Sequence, residues 1–202
     1  HSSNVYFAQL GVACGVDDFK GMMERAQMNA SLTYLKNAHG ELQSARGNFP
    51  GVRKAPELAQ LAIGQGAMLV TPLHVACFTA AAAADGRMMR PRLLRDAKAE
   101  EASRLFSAKT AERLKVMLRE TVAKGTGRGA DVAGLEVCGK TGTAQAAGGG
   151  DHAWFTCFAP RRRPRLVVTV LVEHGGFGAR AALPVARALL EEADRLGYVR
   201  QK

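Results

Sequence analysis

The chain has 202 residues, 47% of them hydrophobic and 23% charged, with 28 Lys and Arg against 18 Asp and Glu for a formal net charge of +10. That length suits one domain, or two lobes sharing a site, and the apolar fraction is enough to build a core, which excludes a disordered chain. The positive balance raises nucleic acid, an anionic polymer or a membrane surface as partners, but aromatics at 6% argue against a base-stacking platform, and neither zinc-finger spacing nor a basic recognition helix is present.

In chain order, Asn4 to Cys14 carries Val5, Phe7, Leu10 and Ala13 at helical spacing, and Ser3 or Asn4 can cap it. Val16 to Met28 reads as a second helix, with Phe19, Met22, Met23 and Ala26 on one face. Ala30 to Gly51 has no clear period and reads as loop with short extended pieces. Pro56 to Ile63 reads as a short helix stopped by Gly64. Thr71-Pro72 pairs an N-cap with proline at the first helical position, and the alanine-rich helix it starts runs to Ala84 before Asp85-Gly86. That run, around Val75 to Ala84, is too short to cross a bilayer. Arg87 to Arg95 is predicted extended because of Pro91. Ser107 caps a helix from Ala108 to about Lys124, which stops at Gly125.

The pattern then changes to strands: Val137 to Gln145, His152 to Ala159 and Leu166 to Glu173, with a last helix from about Ala181 to Leu196. Pro160-Arg-Arg-Arg-Pro164 joins the second and third strands, and a solvated hairpin tip is preferred there over contact with an anionic polymer. A boundary near 129–134 divides a helical part, residues 1–134, from a sheet part, residues 135–202, with a site between them. The four cysteines, Cys14, Cys77, Cys138 and Cys157, are far apart in sequence with no C-x-x-C, which gives no support to a zinc or dithiol site. Cys138 and Cys157 fall on the two strands of the proposed hairpin and could be neighbours, but small buried thiols are the preferred reading.

The stretch with the most chemistry is Gly139-Lys140-Thr141-Gly142-Thr143. Glycines in a strand leave its surface bare, so another molecule can lie against the backbone. Lys140 offers a cation, Thr141 and Thr143 offer hydroxyls, and the strand offers N–H groups, a combination suited to a carboxylate and a developing oxyanion. Gly125-x-Gly127-x-Gly129 is a weak phosphate-loop candidate, since no strand precedes it and no Gly-Lys-Ser/Thr follows at the phosphate-loop spacing.

Lys140-Thr-Gly-Thr143 resembles the third active-site motif of penicillin-binding transpeptidases and serine β-lactamases, and Ser2-Ser3-Asn4 resembles their second, Ser-x-Asn. Ile63-Gly-Gln-Gly66 with Val70-Thr-Pro-Leu73, Gly125-Thr-Gly127, Ala153-Trp-Phe155, Phe158-Ala-Pro160 and Val170-Leu-Val-Glu173 fit the transpeptidases in the same order. The resemblance spans essentially the whole chain. It implies an α+β fold of the transpeptidase/β-lactamase type, with a helical lobe and an antiparallel sheet lobe, and neither cofactor nor metal. It implies catalytic roles for Ser2 as proton relay, Asn4 as amide ligand and Lys140 as the cation facing Ser2. Thr141, Gly142 and Thr143 would bind substrate, with the Thr143 N–H in the oxyanion hole.

The implied substrates are peptidoglycan stem peptides, with β-lactams as their mimics, at the outer face of the bacterial cytoplasmic membrane. Nucleic acid is not an expected partner. The apolar stretch after Ser-x-Asn, Tyr6 to Gly11, looks more like the monofunctional transpeptidases than the β-lactamases. One departure is large: no serine here has lysine three residues on, so the family's nucleophile motif is absent. Thr33-x-x-Lys36 and Thr121-x-x-Lys124 have the spacing with the wrong residue and read as chance. The expectation is therefore the C-terminal part of a longer protein, inactive alone, with the rest of the domain as its partner. By the same resemblance, 166–173 is a strand with one open edge, which allows a homodimer. The competing expectations are a catalytically dead module that binds peptidoglycan or a partner, and a β-lactam-hydrolysing or sensing relative.

Overall fold

A computed structural model describes residues 2–146 and 148–200. Its elements in order are α1 (Asn4–Cys14), α2 (Val16–Arg25), β1 (Thr33–Asn37), β2 (Gly40–Gln43), α3 (Ala55–Ala62), α4 (Pro72–Ala83), β3 (Arg87–Met89), β4 (Glu101–Arg104), α5 (Ala108–Lys124), β5 (Cys138–Ala144), β6 (His152–Ala159), β7 (Leu166–Val172) and α6 (Ala182–Arg195). The mixed α+β class and the antiparallel sheet agree with the sequence reading. Two small hairpins were not resolved by it. β1–β2 forms from short extended pieces of the stretch read mainly as loop, and β3 pairs with β4 after only three residues of the expected extended run.

Helix starts follow the capping chemistry. The side chains of Ser3, Thr71 and Ser107 accept backbone N–H groups of Tyr6, His74 and Thr110, which satisfies donors that a helix start otherwise leaves orphaned. Pro184 falls at the third position of α6, where the missing N–H breaks no helical bond.

The main sheet has the order β5-β6-β7, all antiparallel, with Lys140 opposite Thr156 and Thr156 opposite Thr169. Successive side chains alternate between its faces, and both faces are covered. On one, Phe155, Cys157 and Val168 pack with Leu183, Ala186 and Leu190 of α6. On the other, Cys138 and Phe158 pack with Ala82 and Ala83 of α4 and with Leu114 and Leu118 of α5. Burying a side chain of the size of Phe155 or Leu190 contributes roughly 2 kcal/mol. A third cluster, including Met23, Leu32, Phe49, Leu61, Cys77 and Met88, forms the core among the helices.

Two features set the sheet against the helices, and a third ties α5 to the turn after α4. Hydroxyls of Thr79 on α4, Thr156 and Thr169 form a chain with both links at 2.8 Å. Arg119 of α5 grips Asp131 with both guanidinium nitrogens, at 2.8 and 3.1 Å, and also donates to the carbonyl of Val137 at 3.0 Å. That fork fixes the entry into β5. Lys115, buried in α5, donates to Asp85 at 2.8 Å, and this hydrogen bond, ahead of any other cause, holds the Asp85 carboxyl below its ordinary pKa.

Cys138 and Cys157 belong to clusters on opposite faces, so the sheet itself separates them. Burial pushes both thiols up to about 12, and neither is a nucleophile at neutral pH. In the basic turn, Arg161 folds back onto Glu112 of α5 at 2.7 Å, while Arg162 and Arg163 stay exposed. Among the described residues, no helix is long and apolar enough to cross a membrane.

Candidate active site

Ser2 and Lys140 meet across 138 residues of sequence: the Lys140 Nζ donates to Ser2 Oγ at 2.5 Å and to the carbonyl of Thr141 at 2.8 Å. Lys140 lies on the face of the sheet toward α4, opposite Thr156. Ser2 precedes the capped start of α1, whose first residue is the exposed Asn4. Since an ammonium only donates, the Ser2 oxygen is the acceptor and its own hydrogen is left to point elsewhere, the arrangement a proton relay needs. Burial lowers the Lys140 pKa from 10.5.

The placement of α1 depends on Gly11. A Cβ there would come within 2.1 Å of the Ala62 Cβ on α3, so only glycine lets the two helices approach this closely. The rest of α1 is largely exposed, including Val5, Tyr6, Phe7 and Leu10.

Thr141 and Thr143 face the other side of the sheet. The Thr141 hydroxyl lies 3.1 Å from that of Thr126, and the N–H of Gly178 reaches the Thr143 hydroxyl at 3.5 Å. Thr126 is held where two successive bonds, from the N–H groups of Gly125 and Gly127, converge on the Thr121 carbonyl at 3.0 and 3.1 Å. A fourth group comes from the turn after α3: Gln65 donates its side-chain amide to the carbonyl of Thr143 at 3.2 Å. Thr126 and Gln65 were not named as site residues from sequence. The available signal was that each sits between two glycines in a segment already singled out.

The expectation for the motif's glycines needs correction. At Gly139 the bare surface is filled by the chain itself, because an added Cβ would lie 2.8 Å from the Cys157 Cβ and 2.9 Å from the Phe155 ring. Gly142 is close to Trp154, whose Cβ would be 3.1 Å from an added Cβ. Packing within the sheet therefore requires glycine at 139 and leaves a side chain at 142 crowded against Trp154.

Several polar groups gather along the open side of β5. The carbonyls of Thr141 and Thr143 are bound by side chains and not by β6. In an antiparallel pair, a residue's N–H and C=O point to the same side, so the N–H groups of Thr141 and Thr143 also face outward. A cation, two hydroxyls and two backbone donors thus line one edge, a setting for a carboxylate beside a developing oxyanion. A separate cavity of about 390 Å³, between β1–β2 and the 90–100 segment, is lined by Tyr34, Arg90 and Lys98 among others and includes none of these groups. Among the described residues, no three His, Cys, Asp or Glu side chains gather as a metal site.

A family model for the penicillin binding protein transpeptidase domain matches residues 1–191. The peptidoglycan D,D-transpeptidase PbpA of Mycolicibacterium smegmatis is 31% identical over 97% of this chain and 43% of its own length. The structure of penicillin-binding protein A from M. tuberculosis as a ceftriaxone acyl-enzyme complex superposes with a TM-score of 0.83 at 28% identity, covering 94% of this chain and 46% of that one. The D,D-transpeptidase domain of a peptidoglycan glycosyltransferase from Eggerthella lenta gives 0.81 at 28% identity, covering 96% of this chain and 52% of that one. The chain thus spans about half, or less, of these three proteins.

Proposed function

This chain belongs to the penicillin-binding protein transpeptidase domain family, and from that premise we propose that it forms the substrate-holding part of a serine-type D-alanyl-D-alanine transpeptidase that cross-links peptidoglycan and binds β-lactams. The observation that carries the reading is the contact between Lys140 and Ser2 beside the donor-lined edge of β5.

In this reading the terminal carboxylate of a stem peptide lies against Lys140, Thr141 and Gly142. The scissile carbonyl oxygen lies at the Thr143 N–H, and Asn4 holds the substrate amide. The nucleophile is a Ser-x-x-Lys serine outside these 202 residues. Its oxygen bonds to the carbonyl carbon, the C–N bond breaks, and the departing D-alanine amine takes a proton through Ser2. An amine of a second stem peptide then attacks the acyl-enzyme and releases the serine oxygen, which regains its proton. A β-lactam follows the first half, its ring C–N bond breaking in place of the peptide bond.

The remainder of the domain packs where α1 exposes its apolar side chains and along β7, whose far side is unpaired among the described strands. Self-association through β7 is the alternative for the 202 residues alone. The lobes are 1–134 and 135–202, and the whole protein works at the outer face of the bacterial cytoplasmic membrane. A binding-only module is the competing reading, favoured by the absence of Ser-x-x-Lys from this sequence.

The test is acylation of the full-length protein by a labelled penicillin. Wild type is expected to label stoichiometrically, and Lys140→Ala to slow labelling a hundredfold or more, the scale of losing one preorganised electrostatic contact. A full-length protein that never labels supports the binding module instead.

A further inference from the structure

An ordinary strand edge offers alternating donors and acceptors, and so invites any extended chain to pair with it. The open edge of β5 does not. The acceptor of Thr141 is occupied by Lys140 Nζ at 2.8 Å, and that of Thr143 by Gln65 Nε2 at 3.2 Å. At these two residues, only the N–H donors remain outward and unengaged.

The Gln65 contact is built by its turn. Gly64 and Gly66 have φ of +74° and +80°, a region that other residues enter at a cost. The N–H of Gln65 bonds back to the carbonyl of Gln60 at 2.9 Å, and that of Gly64 to Leu61 at 2.9 Å. A Cβ on Gly66 would sit 3.4 Å from the Gln60 side chain. The backbone on both sides of Gln65 is thus set by α3, and its side chain crosses to a strand 78 residues away.

We infer that Gln65 is a positioning residue that keeps the Thr143 acceptor closed until an acyl donor carrying its own amide N–H displaces it. The inference rests on the transpeptidase reading of this edge. A ligand bringing only a carboxylate and a carbonyl oxygen uses the free donors and leaves Gln65 in place. A ligand that also brings an amide N–H, lying extended along β5, competes with the Gln65 amide for the Thr143 carbonyl. Gln65 thereby discriminates between acyl donors by the presence of that N–H, and it denies the edge to unrelated strands.

The test compares two β-lactams on the full-length protein: benzylpenicillin, which has a side-chain amide N–H, and a penam unsubstituted at the same carbon. Gln65→Met keeps the stem but donates nothing. It is expected to raise the benzylpenicillin rate relative to the unsubstituted penam by roughly two- to tenfold, the factor for relieving competition with one neutral hydrogen bond. Gln65→Glu is expected to raise the same ratio while slowing both compounds, because its charge opposes their carboxylates. A ratio unchanged in both variants, or lowered in either, overturns the inference, and a ratio cancels any general loss of folded protein. If wild type is acylated by neither compound, the transpeptidase reading fails separately. The Gln65 inference is then decided by the same ratio measured with dissociation constants.

Discussion

Lys140 concentrates the electrostatics of the site in one side chain. It is half-buried, faces Ser2 and the Thr141 carbonyl, and burial lowers its pKa from the ordinary 10.5. The sign follows directly. A lowered pKa means that the ammonium discharges at a lower pH than a free lysine, so the charge proposed to hold a substrate carboxylate is lost as pH rises through that lowered value. The alkaline limb of penicillin acylation is therefore expected below pH 10.5. In Lys140→Arg the limb should disappear from the accessible range, since guanidinium stays charged. A limb that stays in place in Lys140→Arg assigns the titration to another group. The motif was readable at this scale because glycine-flanked lysine in a strand is rare chemistry. Gln65 and Thr126 were harder to read, because a side chain that reaches another element leaves no periodic trace in its own.

At the scale of elements, α1 delivers Ser2 and Asn4, and its seat on α3 passes through Gly11. Gly11→Ala puts a methyl 2.1 Å from the Ala62 Cβ, and a helix cannot absorb that without moving. The expected cost is about 1–3 kcal/mol, read as a lower midpoint in denaturant melts. A fall in penicillin acylation should accompany it, because Ser2 moves away from Lys140. The double variant Gly11→Ala with Ala62→Gly removes the opposing methyl and should recover most of both losses. Full stability and activity in Gly11→Ala alone would show that α1 is not held here. The main helices and the three strands of the sheet were legible from caps and periodicity. The β1–β2 and β3–β4 hairpins were not, because strands of three to five residues are too short to show alternation. The glycines at 139 and 142 read as openings for a ligand, because sequence does not reveal that Cys157, Phe155 and Trp154 fill the space beside them.

At the scale of the whole molecule, the covered sheet and the helical core bring Ser2, near the start of the chain, and Lys140, 138 residues on, to one edge. In the proposed function that edge binds and orients, and the attacking oxygen is supplied from outside it. Ser2 is occupied as the acceptor for Lys140. Thr33 and Thr121 have the lysine spacing, yet Thr33 lies on β1 and the Thr121 hydroxyl donates to the Met117 carbonyl within α5 at 3.0 Å. We therefore propose that the bond-forming serine lies elsewhere in the protein. The most direct test is peptide mapping by mass of the full-length protein after reaction with a labelled penicillin. The account predicts one adduct, on the serine of a Ser-x-x-Lys segment outside these 202 residues, and none on the 202-residue chain treated alone. A stoichiometric adduct on Ser2, Thr33 or Thr121 would contradict it.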